Sequence, residues 1–530
     1  MTQIWIACKG GAGLRQFISF ARPFSEFKFV ADRFGNEDSI RRCLSLARAK
    51  GCQTMVVERI QPIGFLKDEN EELASMGCWT SGHIYRLSFF SKHFKTILGL
   101  MVCPNDAFLG YAILKCDGES RFAAQWYVYE SVFSKYAHEH NCVSRPATYA
   151  IKVAFKTFKI KGILYCQQNG LNKSCAHVAI RSILSRLGKD IPYRKMNEIA
   201  SQGIEAGKFC PHGLNAYQVT NILESCGLNV RALDYTQQDN NKSAKDISDF
   251  RRAFPFQKIV YQGIESGMGV LLGFKLDGED ARHMIPIYGH TFNQDTWVSD
   301  ADAGYFKITT DFGYVPSEKW TSSFIGHDDN FGPCFCIPRF YLPAEKVDYV
   351  AEVLLDDVQY TGMQAEAAAF PLLKWFVKQM DDKTIWQKRL KQAFSRPFPN
   401  VVVRALCVDS KTYFDHLQEA VDWQGNRDQR KLVEEVRKAG SVSKFWVVEF
   451  SFPQLFSSSK RKLGEIVLDA TKPIETDDFV EGTSSVFLLA RLPSVYFIAS
   501  GNRNDNNRLV WDTCKSQIES HVPLMSLADK

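Results

Sequence analysis

The stretch Gln167-Gln-Asn-Gly-Leu-Asn-Lys-Ser-Cys175-Ala-His-Val-Ala-Ile-Arg-Ser-Ile-Leu-Ser-Arg-Leu-Gly188 decides how the middle of this chain is read. Ala176, Ala179, Ile180, Ile183, Leu184 and Leu187 recur at helical spacing, which lays one apolar stripe along a helix. Gly188 supplies the stop signal. Asn172 and Ser174 are good N-cap types, so Cys175 falls in the first turn. A thiolate is the reactive form of cysteine, and the unpaired N–H groups and dipole of a helix N-terminus favour it. Cys175 is therefore a candidate nucleophile; the plain alternative is one more buried small hydrophobe. On the loop that leads in, Gln168 (or Gln167) stands where an amide can complete an oxyanion hole with the N–H of Cys175.

The bulk properties set the frame. A chain of 530 residues suggests three domains at roughly 100–200 residues each. With 45% hydrophobic and 23% charged residues, it has the composition of a globular protein with real cores. A net charge of +6 over this length is too small to predict a nucleic-acid partner. The start, Met1-Thr-Gln-Ile-Trp-Ile-Ala-Cys-Lys9, is not built like a secretory signal, and no run approaches 18 uninterrupted apolar residues, so no membrane partner is expected. The 15 Cys are scattered and odd in number, which predicts free thiols and a cytoplasmic setting.

Texture divides the chain into an N-terminal α+β part at 1–155, a part holding Cys175 at 156–343, and a helical and then β region at 344–530. In the first, Gln53–Ile60, Ile84–Phe89, Thr96–Cys103 and Ala107–Lys115 read as strands and Glu37–Lys50 as a helix. The glycine-rich Lys9-Gly-Gly-Ala-Gly-Leu14 lacks the Gly-Lys-Ser/Thr of a phosphate loop. In the last, Ala344–Asp357 and Gly362–Met380 read as helices. Asn400–Cys407, Lys444–Ser451, Gly464–Asp469 and Ser485–Arg491 read as strands, and Ser457–Lys462 as a solvated loop.

Three further segments follow the Cys175 helix in order. His212-Gly-Leu-Asn-Ala-Tyr-Gln-Val-Thr-Asn-Ile-Leu-Glu-Ser-Cys-Gly-Leu228 reads as a second helix leading to a strand at Asn229–Leu233. Ile264-Glu-Ser-Gly-Met-Gly-Val-Leu-Leu-Gly-Phe274 leads into another strand, and Arg282-His-Met-Ile-Pro-Ile-Tyr-Gly-His290 is a third. Together with the cysteine helix, this order resembles the papain-like cysteine peptidase superfamily, in particular its bacterial branch related to the bacteriocin-processing peptidases. The resemblance covers residues 160 to 340, with Ala176 where the family more usually has Gly and a slightly long Gln-to-Cys spacing. It implies an α+β fold in which the nucleophile helix packs on a twisted antiparallel sheet. It also implies Cys175 as nucleophile, His283 as base and Gln168 or Gln167 at the oxyanion.

Positions seven apart on a strand face opposite sides, so only one of His283 and His290 can meet the cysteine. His283 stands where the family has its base, and His290 reads as a turn residue. His177, two residues past Cys175, points elsewhere on the helix and reads as a packing or surface residue. Two acids are candidates to orient the base. They are Asp300 in Trp297-Val-Ser-Asp300 and, preferred, Asp328 in the His327-Asp-Asp-Asn330 turn, which also reads as a self-bonded Asx turn. Cys210 with His212, and Cys334 with Cys336, lack structural-zinc spacing, and Asp300 with Asp302 is too little for a calcium loop, so neither metal nor cofactor is expected. The expected activity is a cysteine-dependent hydrolase, a peptidase or isopeptidase acting on a protein or peptide through an acyl-enzyme. The alternatives are a transglutaminase-like or acyltransferase enzyme with the same Cys/His pair, or a silent papain-fold binding module.

Overall fold

In the N-terminal part, short apolar runs broken by turns give β1 (Thr2–Ile6), β2 (Arg15–Ser19), β3 (Thr54–Ile60), β4 (Cys78–Thr80), β5 (Ile84–Phe90), β6 (Phe108–Glu119) and β7 (Gln125–Phe133). They form one antiparallel sheet in the order β1-β2-β3-β5-β6, with β4 and β7 also paired to β6. The computed structural model describes residues 2–6, 15–19, 28–80, 83–119, 125–134, 141–201, 213–236, 244–276, 282–292, 313–339, 341–396, 399–439, 442–503 and 509–527. Helices α1 (Lys28–Phe34) and α2 (Asp38–Ala49) bury Val30, Phe34, Ile40 and Leu44 against Met55, Leu87 and Phe89 of the sheet. α3 (Phe65–Ser75) lies beside β4. Thr96–Cys103, expected as a strand, is instead a short helix, α4 (Ile97–Val102). The Thr96 hydroxyl accepts the Gly99 N–H at 3.2 Å, and this N-cap outweighs the β preference of the run.

The central part starts with β8 (Asn141–Val143) and the hairpin of β9 (Ala147–Val153) and β10 (Lys156–Gly162), which a boundary at 155 would split. Helices α5 (Cys175–Arg186), α6 (Tyr193–Ala200) and α7 (Ala216–Ser225) precede β11 (Asn229–Asp234), α8 (Ala244–Ala253) and α9 (Phe256–Glu265). β12 (Gly269–Lys275), β13 (Arg282–Phe292), β14 (Val315–Pro316), β15 (Thr321–Asp328), β16 (Gly332–Pro338) and β17 (Val347–Leu354) follow. The central antiparallel sheet has the order β11-β17-β12-β13-β15-β16, and β8 also pairs with β13. α5 packs on one face against β12 and β13, and α9 on the other.

Residues 344–357, expected as a helix, hold β17, which runs between β11 and β12 and is buried along its whole length. Tyr349, Ala351 and Val353 enter the core under α5 and Val350 the core under α9. A strand buried on both faces shows no alternation, so its apolar spacing mimics a helix. A boundary at 343 therefore separates β17 from its own sheet.

The C-terminal part opens with α10 (Gly362–Gln379) and α11 (Ile385–Phe394) and continues through β18 (Val402–Asp409), α12 (Ser410–Glu419), α13 (Arg430–Ala439), β19 (Lys444–Ser451) and α14 (Pro453–Ser459). β20 (Arg461–Lys462), β21 (Gly464–Asp469), β22 (Phe487–Leu492), β23 (Val495–Arg503), β24 (Leu509–Lys515) and β25 (Val522–Pro523) complete it. Its main sheet has the order β14-β18-β19-β21-β22-β23-β24, antiparallel except for β14 beside β18. Of the run expected as a solvated loop at 457–462, Ser458, Ser459 and Lys460 are exposed, but Ser457 and Lys462 are buried and the run ends α14 and forms β20. Lys462 is fully buried, with Nζ 2.7 Å from Glu449 Oε1 and 3.4 Å from Glu465 Oε2. The fold class is α+β with several antiparallel sheets. Among the described residues, no helix is long and apolar enough to cross a membrane.

Candidate active site

Ser174, in extended conformation, is the N-cap of α5, and Cys175 is its first residue. His177 completes the cap. Its Nδ1 accepts the Ser174 N–H at 3.2 Å, and its Nε2 faces Asn197 Oδ1 at 2.7 Å. Burial pushes the His177 imidazole down to about 4, against the upward pull of that Asn197 bond, so it is a neutral capping group buried beneath the loop. The loop before the helix is tied to α3. Lys173, fully buried, places Nζ 2.9 Å from Glu69 Oε1, and Asn172 Nδ2 donates to Glu72 Oε2 at 2.6 Å. These ties fix where the helix starts and hence where the thiol sits.

On β13, His283 comes within hydrogen-bonding reach of Cys175. Its Nε2 lies 3.3 Å from Asp328 Oδ2 and 3.3 Å from Asp329 Oδ1, between the two carboxylates and not in line with either. The edge of Phe274 packs on the ring, with centroids 5.5 Å apart. Burial alone would lower the imidazole. The polar contacts with Asp328 and Cys175 and the charges of Asp329 and Asp328 outweigh it and push the group up to about 11. Burial, with the charge of Asp328, pushes Asp329 up to about 7 against the pull of His283. Asp328 also accepts the N–H groups of Asn330 at 2.9 Å and Phe331 at 3.2 Å through Oδ1. One oxygen thus builds the Asx turn, and the other faces the His283 ring.

No family model matches the chain, and none of the curated proteins does.

Cys175 and His283 open onto a cleft of about 380 Å³ lined also by Leu214, Tyr217, Phe274 and Tyr349, with Asp234, Arg282 and Asp348 among its charged residues. The N-termini of α5 and α7 both reach it, which puts first-turn N–H groups at its edge. The glutamines are placed elsewhere. Gln167 Oε1 accepts from Ser39 Oγ at 2.6 Å and from the Val128 N–H at 2.9 Å, and Gln168 lines another cavity with Trp126 and Tyr127. Asp300 lies outside the described residues, as do Asp302, Cys210, His212 and the glycine-rich segment at 9–14.

His290, expected in a turn, is fully buried inside β13, because β8 and β15 pair on both sides of it. It faces α9, with Nε2 2.6 Å from Glu265 Oε1. Asp329 is the residue that sequence reasoning passed over. Its signal was adjacency, since a turn bringing Asp328 to a base brings its neighbour too. His283, Asp328 and Asp329 lie close enough to hold a metal ion, as do Cys142, Glu265 and His290. In the second group the Arg404 guanidinium already occupies Glu265.

Proposed function

We propose that the chain is a papain-like cysteine hydrolase, a peptidase or isopeptidase, with Cys175 as nucleophile, His283 as general base and acid, and Asp328 as the group that orients the ring. The observation that carries this is the placement of His283 between Cys175 and an acid pair across a cleft. Because Nε2 faces the carboxylates, Nδ1 is left for the sulfur. The thiol proton rests on His283 in a thiolate–imidazolium pair, and the sulfur attacks a carbonyl carbon, forming the C–S bond while the oxygen gains charge beside the N–H of Cys175. His283 then gives the proton to the leaving nitrogen as the C–N bond breaks. A water that loses its proton to His283 cleaves the thioester, releasing the acid and restoring the thiol. The glutamine's role passes to the backbone N–H groups of the α5 N-terminus, since Gln167 and Gln168 line no part of this cleft.

Labelling by iodoacetamide, mapped by mass spectrometry over the 15 cysteines, tests the proposal. Cys175 should react fastest, Cys175→Ser should abolish the fast phase, and His283→Ala should slow it by about 100-fold, the scale of general-base assistance. Reaction of Cys175 no faster than its fellow thiols would remove the enzyme reading. Amine capture of the same acyl-enzyme would make the protein a transferase. Hydroxylamine or cadaverine supplied with a turned-over peptide separates the two by the mass of the product.

A further inference from the structure

A second cavity, of about 590 Å³, lies between the central sheet and α10. Its apolar walls include Leu233, Phe254, Ile259, Val350, Phe370 and Phe479, and its size falls in the usual range of small-molecule pockets, about 300–1,000 Å³. Its polar wall residues are Arg231, Lys258, Tyr314, Thr361, Gln364 and Glu352, and the last of these is the deeply buried acid. Glu352 of β17 is 3% exposed, and its Oε1 has no hydrogen-bond partner among the described residues. The fold makes room for that oxygen, since a Cβ at Gly263 of α9 would lie 3.2 Å from it.

The other charged groups nearby are already committed. Lys258 of α9 lies 2.6 Å from Glu366 Oε2 of α10 and donates to Tyr314 at 2.7 Å. Gln262 donates to Glu366 Oε1 at 2.7 Å. Glu318, buried, feels Lys258 and Arg339, and Arg231 of β11 is exposed at the lining, within 3.4 Å of the Gln359 carbonyl. Among the described charged groups of this cavity, Glu352 has no ion-pair partner; Arg231, opposite it in register on β11, is exposed and reaches the Gln359 carbonyl instead. Burial pushes its carboxyl up to about 8, which favours the protonated form at pH 7. A metal ion needs several oxygen or nitrogen ligands, and one carboxyl does not supply them. An anion would meet no uncommitted cation at the depth of Glu352.

We propose that this cavity binds a small organic amine with an apolar, preferably aromatic, body, whose ammonium group pairs with Glu352. Binding at pH 7 draws Glu352 into its carboxylate form, and its proton is released to the buffer while the ammonium keeps its own. The site is separate from Cys175, and Cys175→Ser should bind the amine unchanged.

The test uses the full chain, with 2-naphthylmethylamine and its neutral isostere 2-naphthylmethanol, by titration calorimetry at pH 7 in two buffers of different ionisation enthalpy. The amine should bind at least tenfold more tightly than the alcohol and release close to one proton. Glu352→Gln should bring the amine to the level of the alcohol and leave alcohol binding intact. Ala367→Trp should block both. Equal affinity for amine and alcohol, binding without proton release, or amine affinity undiminished in Glu352→Gln would overturn the proposal, as would failure of the wild-type chain to bind either probe. Were Glu352→Gln to lose the alcohol as well, and so its fold, proton release by the wild-type chain decides.

Discussion

Burial and charge pull His283 in opposite directions, and charge prevails. The ring is 4% exposed, yet two carboxylates and the sulfur surround it and hold the imidazolium up to about 11. His327, one residue before Asp328, is as buried but has only the Ile163 carbonyl to help it, and it falls to about 3. The contrast gives a spectroscopic prediction. In histidine-labelled NMR at pH 8, the His283 ring should be charged and the His177 and His327 rings neutral, and Asp328→Asn should move the His283 midpoint down by a unit or more. The linkage has a definite sign. A base raised on folding contributes stability that is fully present below about 6.5, its unfolded value, and is lost as pH climbs toward 11. A His283 that titrates with the ordinary histidines would show that the acids do not act on it. Cys175, His283 and Asp328 were legible because each carries local grammar, an N-cap, a strand and an Asx turn. Asp329 and the burial of Lys462 were not, since charge partners such as Glu449 and Glu465 come from other strands and leave no mark in the local sequence.

Among the elements, α3 has the least obvious role. It belongs to the N-terminal part, yet Glu69 and Glu72 reach the loop that starts the Cys175 helix. Glu69 also pairs with Lys115, at 3.3 Å, and receives the Tyr127 hydroxyl at 3.1 Å. Lys173 adds contacts over the rings of Tyr127, Tyr129 and Tyr193. Removing one charge from a buried network leaves its partner uncompensated, at a cost of about 3–5 kcal/mol. Glu69→Gln should therefore lower the unfolding free energy read from urea melts by that much and slow the labelling of Cys175, whereas Lys67→Gln on the exposed face of the same helix should change neither. A Glu69→Gln chain with wild-type stability would mean that α3 does not hold the loop. Elements with a full period were readable from sequence, as α2, α5 and β19 illustrate. Short runs were not. Ile97–Val102 became a helix through one threonine cap, and Val347–Leu354 became a strand because its neighbours β11 and β12 came from more than seventy residues away.

Across the whole molecule, the three parts are joined by structure that no linear division respects. β8 reaches into the central sheet from the N-terminal side, β17 enters it from the C-terminal side, and β14 leaves it to pair with β18. Arg404 of β18 bridges Glu265 of α9 and Glu449 of β19, all three buried, and the Ser266 hydroxyl accepts the Cys407 N–H at 2.9 Å. Burial raises Glu265, but the Arg404 charge and the His290 bond hold it down to about 2, so this carboxylate depends on a residue nearly 140 positions away. A fragment of residues 156–343 should consequently not fold: it lacks the strand between β11 and β12, the Glu69 carboxylate that holds Lys173, and the guanidinium that answers Glu265. A fragment ending at 358 restores β17 but still leaves Glu265 and the α9 face without partners, and it should remain aggregated or molten by near-UV circular dichroism. Adding the separately expressed remainder should not rescue it at low concentration, because the missing contacts are core contacts and not a surface that docks. If the 156–343 fragment instead gave a dispersed spectrum and rapid Cys175 labelling, the proposed catalytic unit would be independent, and the flanking parts would have to be understood as additions to it.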